Sequence, residues 1–125
     1  SSQLIYEALN ELDDAQELAN ARAMAERIKN TLKMQSSRLK KKNVVHKLVM
    51  KGYSVDVANT VIEEVDLDED DSLACRVALK KALRLYSSLD ADRRDTKVMQ
   101  YCLRKGFSKE QIENSFLEMS EEFEN

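Results

Sequence analysis

The chain has 125 residues, of which 42% are hydrophobic and 34% charged, and its net charge is −3. That length suits one compact domain or a short array of small ones, and the hydrophobic content excludes wholesale disorder. With no proline and only two glycines, Gly52 and Gly106, turns are too scarce for a sheet-rich fold. No apolar run approaches the roughly 18–20 residues that cross a bilayer, so no membrane role is expected.

In chain order, residues 3–12 come first. Leu4, Ile5, Ala8, Leu9 and Leu12 share one helical face, which predicts a helix with a buried side. A link is expected at Leu12-Asp13-Asp14-Ala15. Leu18, Ala21, Ala25, Ile28 and Leu32 form the next helical stripe, and the polar Gln35-Ser36-Ser37-Arg38 reads as a loop. Val44, Val45, Leu48 and Val49 fall at i, i+1, i+4 and i+5, the inner face of a further helix. Gly52 ends that helix, because a left-handed position costs glycine least. Tyr53 folds back on it, and Ser54 is placed to cap the next helix. After an acidic stretch, Asp68 or Asp70 is placed to start a helix whose stripe holds Leu73, Val77, Leu83 and Tyr86 with Ala74 and Ala78. Asp90 caps the helix that follows. Gly106 ends it, and Ser108 with Gln111 forms a capping box for the last.

Gly52 and Gly106 lie 54 residues apart in matching contexts, Lys51-Gly52-Tyr53-Ser54 and Lys105-Gly106-Phe107-Ser108. At that spacing Val44, Val45, Leu48 and Val49 fall on Val98, Met99, Cys102 and Leu103, and Ala58, Ile62 and Val65 fall on Ile112, Phe116 and Met119. The reading is an all-α fold of tandem three-helix, helix-turn-helix-like repeats forming an elongated, curved array, as stacked units bury more than one unit alone. The expected organisation is 1–14 as the tail helix of an incomplete first repeat, 15–67 as one three-helix repeat and 68–125 as the next. The chain opens on Ser1 and not on methionine, which reads as a processed or partial chain.

Charge alternates along these units. Residues 27–51 hold Arg and Lys without one acid, 52–75 hold acids without one base, and the pattern then recurs. Arg38, Lys40, Lys41 and Lys42 are the densest basic run. Lys80, Lys81 and Arg84, with Arg93 and Arg94, make a second. Both are candidate contacts for phosphates or an acidic protein surface, each cation adding a salt-sensitive, sequence-blind term; the plainer reading of either is a solvated helix face. Lys51, Arg104 and Lys105 flank the glycine turns, where they complement helix C-terminal dipoles. The acidic run Asp66-Leu67-Asp68-Glu69-Asp70-Asp71 lacks the glycine and terminal glutamate of a calcium loop. His46 is the only histidine, and Cys75 and Cys102 have no CxxC spacing. Thus no metal or cofactor is expected. Cys102, which falls on Leu48, reads as core, Cys75 has no base near it in sequence to make it a nucleophile, the compartment reads as a reducing cytoplasm, and no nucleophile or phosphate loop suggests an enzyme.

Two K-G-aromatic-S turns in three-helix units resemble the RecX regulatory family. Asp70–Leu117 carries the resemblance best, with DDSLACRVALKKALRLY and VMQYCLRKGFSKEQIENSFL; Leu18-Ala19 and Leu73-Ala74 are similar to the family's pattern near each unit's start. The likeness covers the family's second and third repeats. It implies a protein that binds the RecA–single-stranded DNA filament, inhibits or modulates recombination, ATP hydrolysis and SOS co-protease activity, and performs no chemistry itself. Single- or double-stranded DNA is a further contact through the basic patches. The alternative is an independent DNA-binding helical module without sequence preference.

Overall fold

A computed structural model of the chain describes residues 1–67 and 70–124. Six helices follow one another: α1 (Ser2–Asn30), α2 (Ser37–Met50), α3 (Val55–Glu64), α4 (Ser72–Leu85), α5 (Ala91–Arg104) and α6 (Lys109–Glu124). The fold is all-α and repeats a three-helix unit. Ser1–Thr31 with Lys41–Leu67 form one compact unit, and Leu32–Lys40 with Asp68–Asn125 form the other.

The first unit is built on α1, α3 and the part of α2 from Lys41 on. Small residues let α1 and α3 approach closely, with Ala21, Ala25 and Ile28 of α1 and Ala58, Val61 and Ile62 of α3 buried. Val44 and Leu48 are the buried positions of α2. Arg22 pairs with Glu64, and Lys29 Nζ donates to the Asp66 carbonyl at 2.9 Å, tying α1 to the end of α3.

Two expectations about α1 fail. The helix runs unbroken through Leu12-Asp13-Asp14-Ala15, where a link was predicted. Two aspartates are tolerable in an exposed helix interior, and nothing there forces a turn. Leu4, Ile5, Ala8, Leu9 and Leu12 do share one face, but that face is exposed to solvent and not buried.

In the second unit α4 packs on both α5 and α6, around Cys75, Leu79, Ala82, Val98, Cys102, Phe107, Ile112 and Met119. The predicted stripe on α4 is corrected. Leu73 and Val77 face solvent, and the buried side is Cys75, Ala78, Leu79 and Ala82. The small Cys75, Ala78 and Ala82 allow close helix approach, and Cys75, Leu79 and Ala82 stand 54 residues beyond Ala21, Ala25 and Ile28.

The helix ends follow the expected chemistry. Gly52 (φ 107°) and Gly106 (φ 95°) both take the left-handed side of backbone space. Gly52 N–H donates to Val49 O and Tyr53 N–H to Leu48 O; Gly106 and Phe107 repeat the pattern onto Leu103 O and Cys102 O. Those paired bonds satisfy carbonyls that a helix end would otherwise leave bare. Ser54 accepts from Val57 N, and Asp90 accepts from Arg93 N. Ser108 Oγ accepts from Gln111 N at 3.1 Å while Gln111 Oε1 accepts from Ser108 N at 2.8 Å, the full reciprocal box. Asp71 is the N-cap residue of α4, and Asp70 Oδ1 accepts from both Ser72 N–H and the Ser72 hydroxyl. Asp68, the other candidate start, lies outside the described residues, as does Glu69.

Candidate functional site

The nine cations singled out in the sequence sit on three helices. Ser36 holds the start of α2: its buried hydroxyl accepts from Leu39 N at 3.1 Å, and Asp71 Oδ1 accepts from Ser37 N at 2.9 Å. From that start the basic run winds around α2 and does not form one patch. Arg38, Lys41 and Lys42, at i, i+3 and i+4, share an exposed face. Lys40 stands one turn before buried Val44 and is half-buried. Lys41 is engaged by Glu63 of α3 at 2.9 Å.

Lys80, Lys81 and Arg84 are all exposed on α4, on the side opposite Cys75, Leu79 and Ala82. Here the chain does bring its cations together. At the start of α5, Arg93 is exposed, while Arg94 is half-buried and lies 3.4 Å from Asp95. Arg38, Lys40, Lys42, Lys80, Lys81, Arg84 and Arg93 make no ion pair among the described residues. Such cations keep their charge available for an outside anion, whereas Lys41 and Arg94 have theirs partly compensated.

Other candidates resolve into structural roles. Cys75 and Cys102 are buried thiols. Burial, helped by neighbouring Cys75, pushes the Cys102 thiol up to about 11. Burial likewise raises Cys75, against a hydrogen bond with Ser115. Neither thiol is ionised at neutral pH, so neither is a ready nucleophile. His46 is exposed, and among the described residues no group of histidine, cysteine and carboxylate side chains is arranged to hold a metal ion. Hydrogen bonds from Ser72 hold the Asp70 carboxyl below its ordinary value, in keeping with a capping role. No described helix is long and apolar enough to cross a membrane.

Three features escaped the sequence reading. Arg76 bridges α4 to α6, reaching Glu118 at 3.3 Å and Glu122 at 2.7 Å. An apolar groove of about 400 Å³ opens in the second unit beside Leu79, Leu83, Phe116 and Leu117. In the first unit Arg27, Lys47 and Lys51 surround a cleft of about 560 Å³. Each needs residues from separate helices to meet, which spacing along one helix does not reveal.

Residues 68–114 match the family model of the RecX third three-helix domain. The chain is 36% identical over 110 residues to Regulatory protein RecX of Bacillus licheniformis, covering 85% of this chain and 41% of that protein. It is 33% identical over 123 residues to Regulatory protein RecX of Bacillus cereus, covering 95% and 45%. It is 26% identical over 122 residues to Regulatory protein RecX of Leuconostoc citreum, covering 95% and 46%. The chain thus spans less than half the length of these relatives. No solved structure matches it. Two three-helix units closed by matching glycine turns, the family match across the second of them, and relatives aligned over most of both place the chain in the RecX family of regulatory proteins.

Proposed function

We propose that this chain regulates recombination by binding the RecA–single-stranded DNA filament, through Arg38, Lys40, Lys41, Lys42, Lys80, Lys81, Arg84, Arg93 and Arg94. The repeats that present them are taken as 15–67 and 68–125, with 1–14 as the tail of a preceding one. The observation that carries the reading is the exposed, unpaired set Lys80, Lys81 and Arg84 on one face of α4 in a RecX-type unit. A nucleoprotein filament is a polyanion, and each cation brought to it adds a salt-dependent increment of affinity. Nothing among these residues forms a base-reading arrangement, so the contact is to backbone or to acidic protein surface and is blind to sequence. A bound chain would hinder strand exchange, ATP hydrolysis and co-protease activity together, by occupying the filament without chemistry of its own. The site of action is the cytoplasm.

The test is RecA ATP hydrolysis on single-stranded DNA, titrated with this chain and with two charge reversals, Lys40→Glu/Lys41→Glu/Lys42→Glu and Lys80→Glu/Lys81→Glu/Arg84→Glu. Substoichiometric inhibition by the parent, weakened about tenfold or more by the α4 reversal, is the expected result. A fully helical chain that leaves hydrolysis unchanged at every concentration sinks the proposal. Tight DNA binding at physiological salt with RecA unaffected would favour an independent DNA-binding module instead.

A further inference from the structure

We propose that the Gly52 turn of the first unit is a docking seat for a serine-capped helix start from another three-helix unit. The proposal stands apart from filament binding. It rests on an occupied seat of the same kind inside the second unit.

The occupied seat is the Gly106 turn. Ser36 N–H donates to Lys105 O at 2.9 Å, and Ser37 N–H donates to Asp71 Oδ1 at 2.9 Å. These bonds satisfy N–H groups that have no partner inside a helix at its start. The fit is close. Ser36 is 2% exposed, and a Cβ on Gly106 would stand 2.3 Å from its hydroxyl oxygen. Met34 packs against the core cluster that holds Phe107. Segment 32–40 therefore belongs to the second unit, although 41–67 separate it in sequence from the rest of that unit.

The first unit has the matching parts. At the 54-residue spacing Lys51, Gly52 and Tyr53 stand for Lys105, Gly106 and Phe107, and Glu17 stands for Asp71. The register holds, because Ala21, Ala25 and Ile28 are buried as Cys75, Leu79 and Ala82 are. Both glycines share the left-handed backbone and the paired bonds that close the helix. What differs is cover. A Cβ on Gly52 would meet nothing within 4 Å. Lys51 and Gly52 are exposed where Lys105 and Gly106 are half-buried. No backbone N–H donates to Lys51 O among the described residues. Glu17 is exposed and makes no ion pair among them. Within this chain the Gly52 turn only reverses direction, and its docking side is open.

The occupied seat defines the occupant: two free N–H groups at a helix start and a small, uncharged cap that fits against glycine. The start of α5 shows what charge excludes. Leu89 N–H donates to Tyr86 O and Arg94 N–H to Asp90 O, as Gln35 N–H does to Leu32 O and Lys40 N–H to Ser36 O. Its backbone thus has the right form, and the N–H groups of Asp90 and Ala91 have no acceptor among the described residues. Yet Asp90 puts a carboxylate where Ser36 has a hydroxyl, on the side that Glu17 would share. Like charges brought together there disfavour docking. A second copy of this chain, offering α5, is therefore the poorer occupant, and a start capped as Ser36 caps α2 is the better one.

The test lengthens the chain by one unit in register, residues 1–67 followed directly by 14–125. The first Ser36 can then reach the second Gly52 turn, as the second Ser36 reaches Gly106. Amide hydrogen exchange is read by NMR, with helix content checked by circular dichroism. The first Ser36 amide should be protected as the second is. Gly52→Ala in the second copy should speed its exchange by about tenfold or more, whereas Gly52→Ala in the first copy, where the seat stays open, should leave it unchanged. A helical chain whose first Ser36 amide exchanges freely overturns the proposal, as does protection indifferent to the second Gly52→Ala. Should the lengthened chain not fold, the parent chain is titrated to millimolar concentration with a peptide of residues 32–43. Saturable NMR shifts at Gly52 support the proposal if Gly52→Ala abolishes them and a Ser36→Pro peptide, equal in charge but lacking the N–H, does not produce them. Their absence, or shifts from both peptides, overturns it. Self-association of the parent chain that Gly52→Ala abolishes would also overturn it and give the seat to a second copy.

Discussion

Val44 and Leu48 of the first unit are buried, and so are Val98 and Cys102, 54 residues on; Ala58 and Val65 have buried counterparts in Ile112 and Met119. The units part elsewhere. Phe107 is 2% exposed where Tyr53 is only half-buried. Phe116 is 50% exposed where Ile62 is 3% exposed. Gly52 faces open space, but a Cβ on Gly106 would meet Ser36 Oγ at 2.3 Å and Leu39 Cβ at 2.8 Å. The same backbone device thus serves two purposes. In the first unit the turn only reverses the chain; in the second it is also a docking point for the Ser36 that caps α2. The shared inner positions hold the unit together, and the divergent outer ones give each copy its own surface.

If that contrast is sound, Phe107→Ala should destabilise the protein by about 3–5 kcal/mol, the usual range for emptying a buried aromatic site. Tyr53→Ala should cost less than half as much. Urea unfolding of both variants checks the ranking, and equal losses would break the distinction between a packed and a marginal aromatic. Gly106→Ala comes next, at about 3 kcal/mol: backbone strain on the left-handed side adds to displacement of the Ser36 cap. Gly52→Ala should cost about 1 kcal/mol, from conformation alone. Thermal melts of the pair would separate close approach from backbone freedom.

Cys102 distinguishes the units through pH, because the matching position holds Leu48, which does not titrate. The buried thiol is raised from 9.0 to about 11. Below pH 9 folded and unfolded chains both keep the proton, so stability is unaffected. Between pH 9 and 11 the unfolded chain releases it while the folded chain retains it, so stability falls as pH rises. The loss reaches about 2–3 kcal/mol by pH 11. Cys102→Val should flatten most of that decline in unfolding curves taken from pH 7 to 11, leaving the smaller part due to Cys75.

Much of this architecture is legible in the sequence because it depends on local chemistry. Gly52, Gly106, Ser54, Ser108 and Asp90 act within one turn of themselves, and they mark helix ends where expected. On the inner face of α4 Ala78 was expected, but Cys75 and Ala82 were not, because they are small and draw little notice, while Leu73 and Val77 attract attention and face water. The outcome of the α1 stripe was hidden for another reason. Periodicity tells which residues share a face, not whether anything in the chain covers it. The basic run of α2 looked like one patch because consecutive residues are close in sequence, yet a helix sends consecutive side chains in different directions. Arg38, Lys41 and Lys42 share a face there, with Lys41 held by Glu63, while Lys40 turns towards the buried side. The α4 cluster, less dense in sequence, is the one whose three charges all lack an ion pair among the described residues.

The smallest expected effect bears on that last contrast. Lys41 and Glu63 join α2 to α3 in the first unit, whereas the matching positions, Asp95 and Leu117, offer no such pair. Both partners are more than half exposed, so solvent screening limits the pair to at most about 0.5 kcal/mol. A double-mutant cycle on Lys41→Ala and Glu63→Ala should therefore barely move the unfolding midpoint. Its functional consequence is larger than its structural one. Glu63→Gln frees the Lys41 charge without removing a side chain of that size, and so should strengthen any salt-sensitive binding to a polyanion. Lys41→Ala should weaken that binding less than Lys42→Ala, whose charge is already free. Equal losses from the two substitutions would mean that Glu63 releases Lys41 on binding, and the first unit would then hold a contact that opens only when its partner arrives.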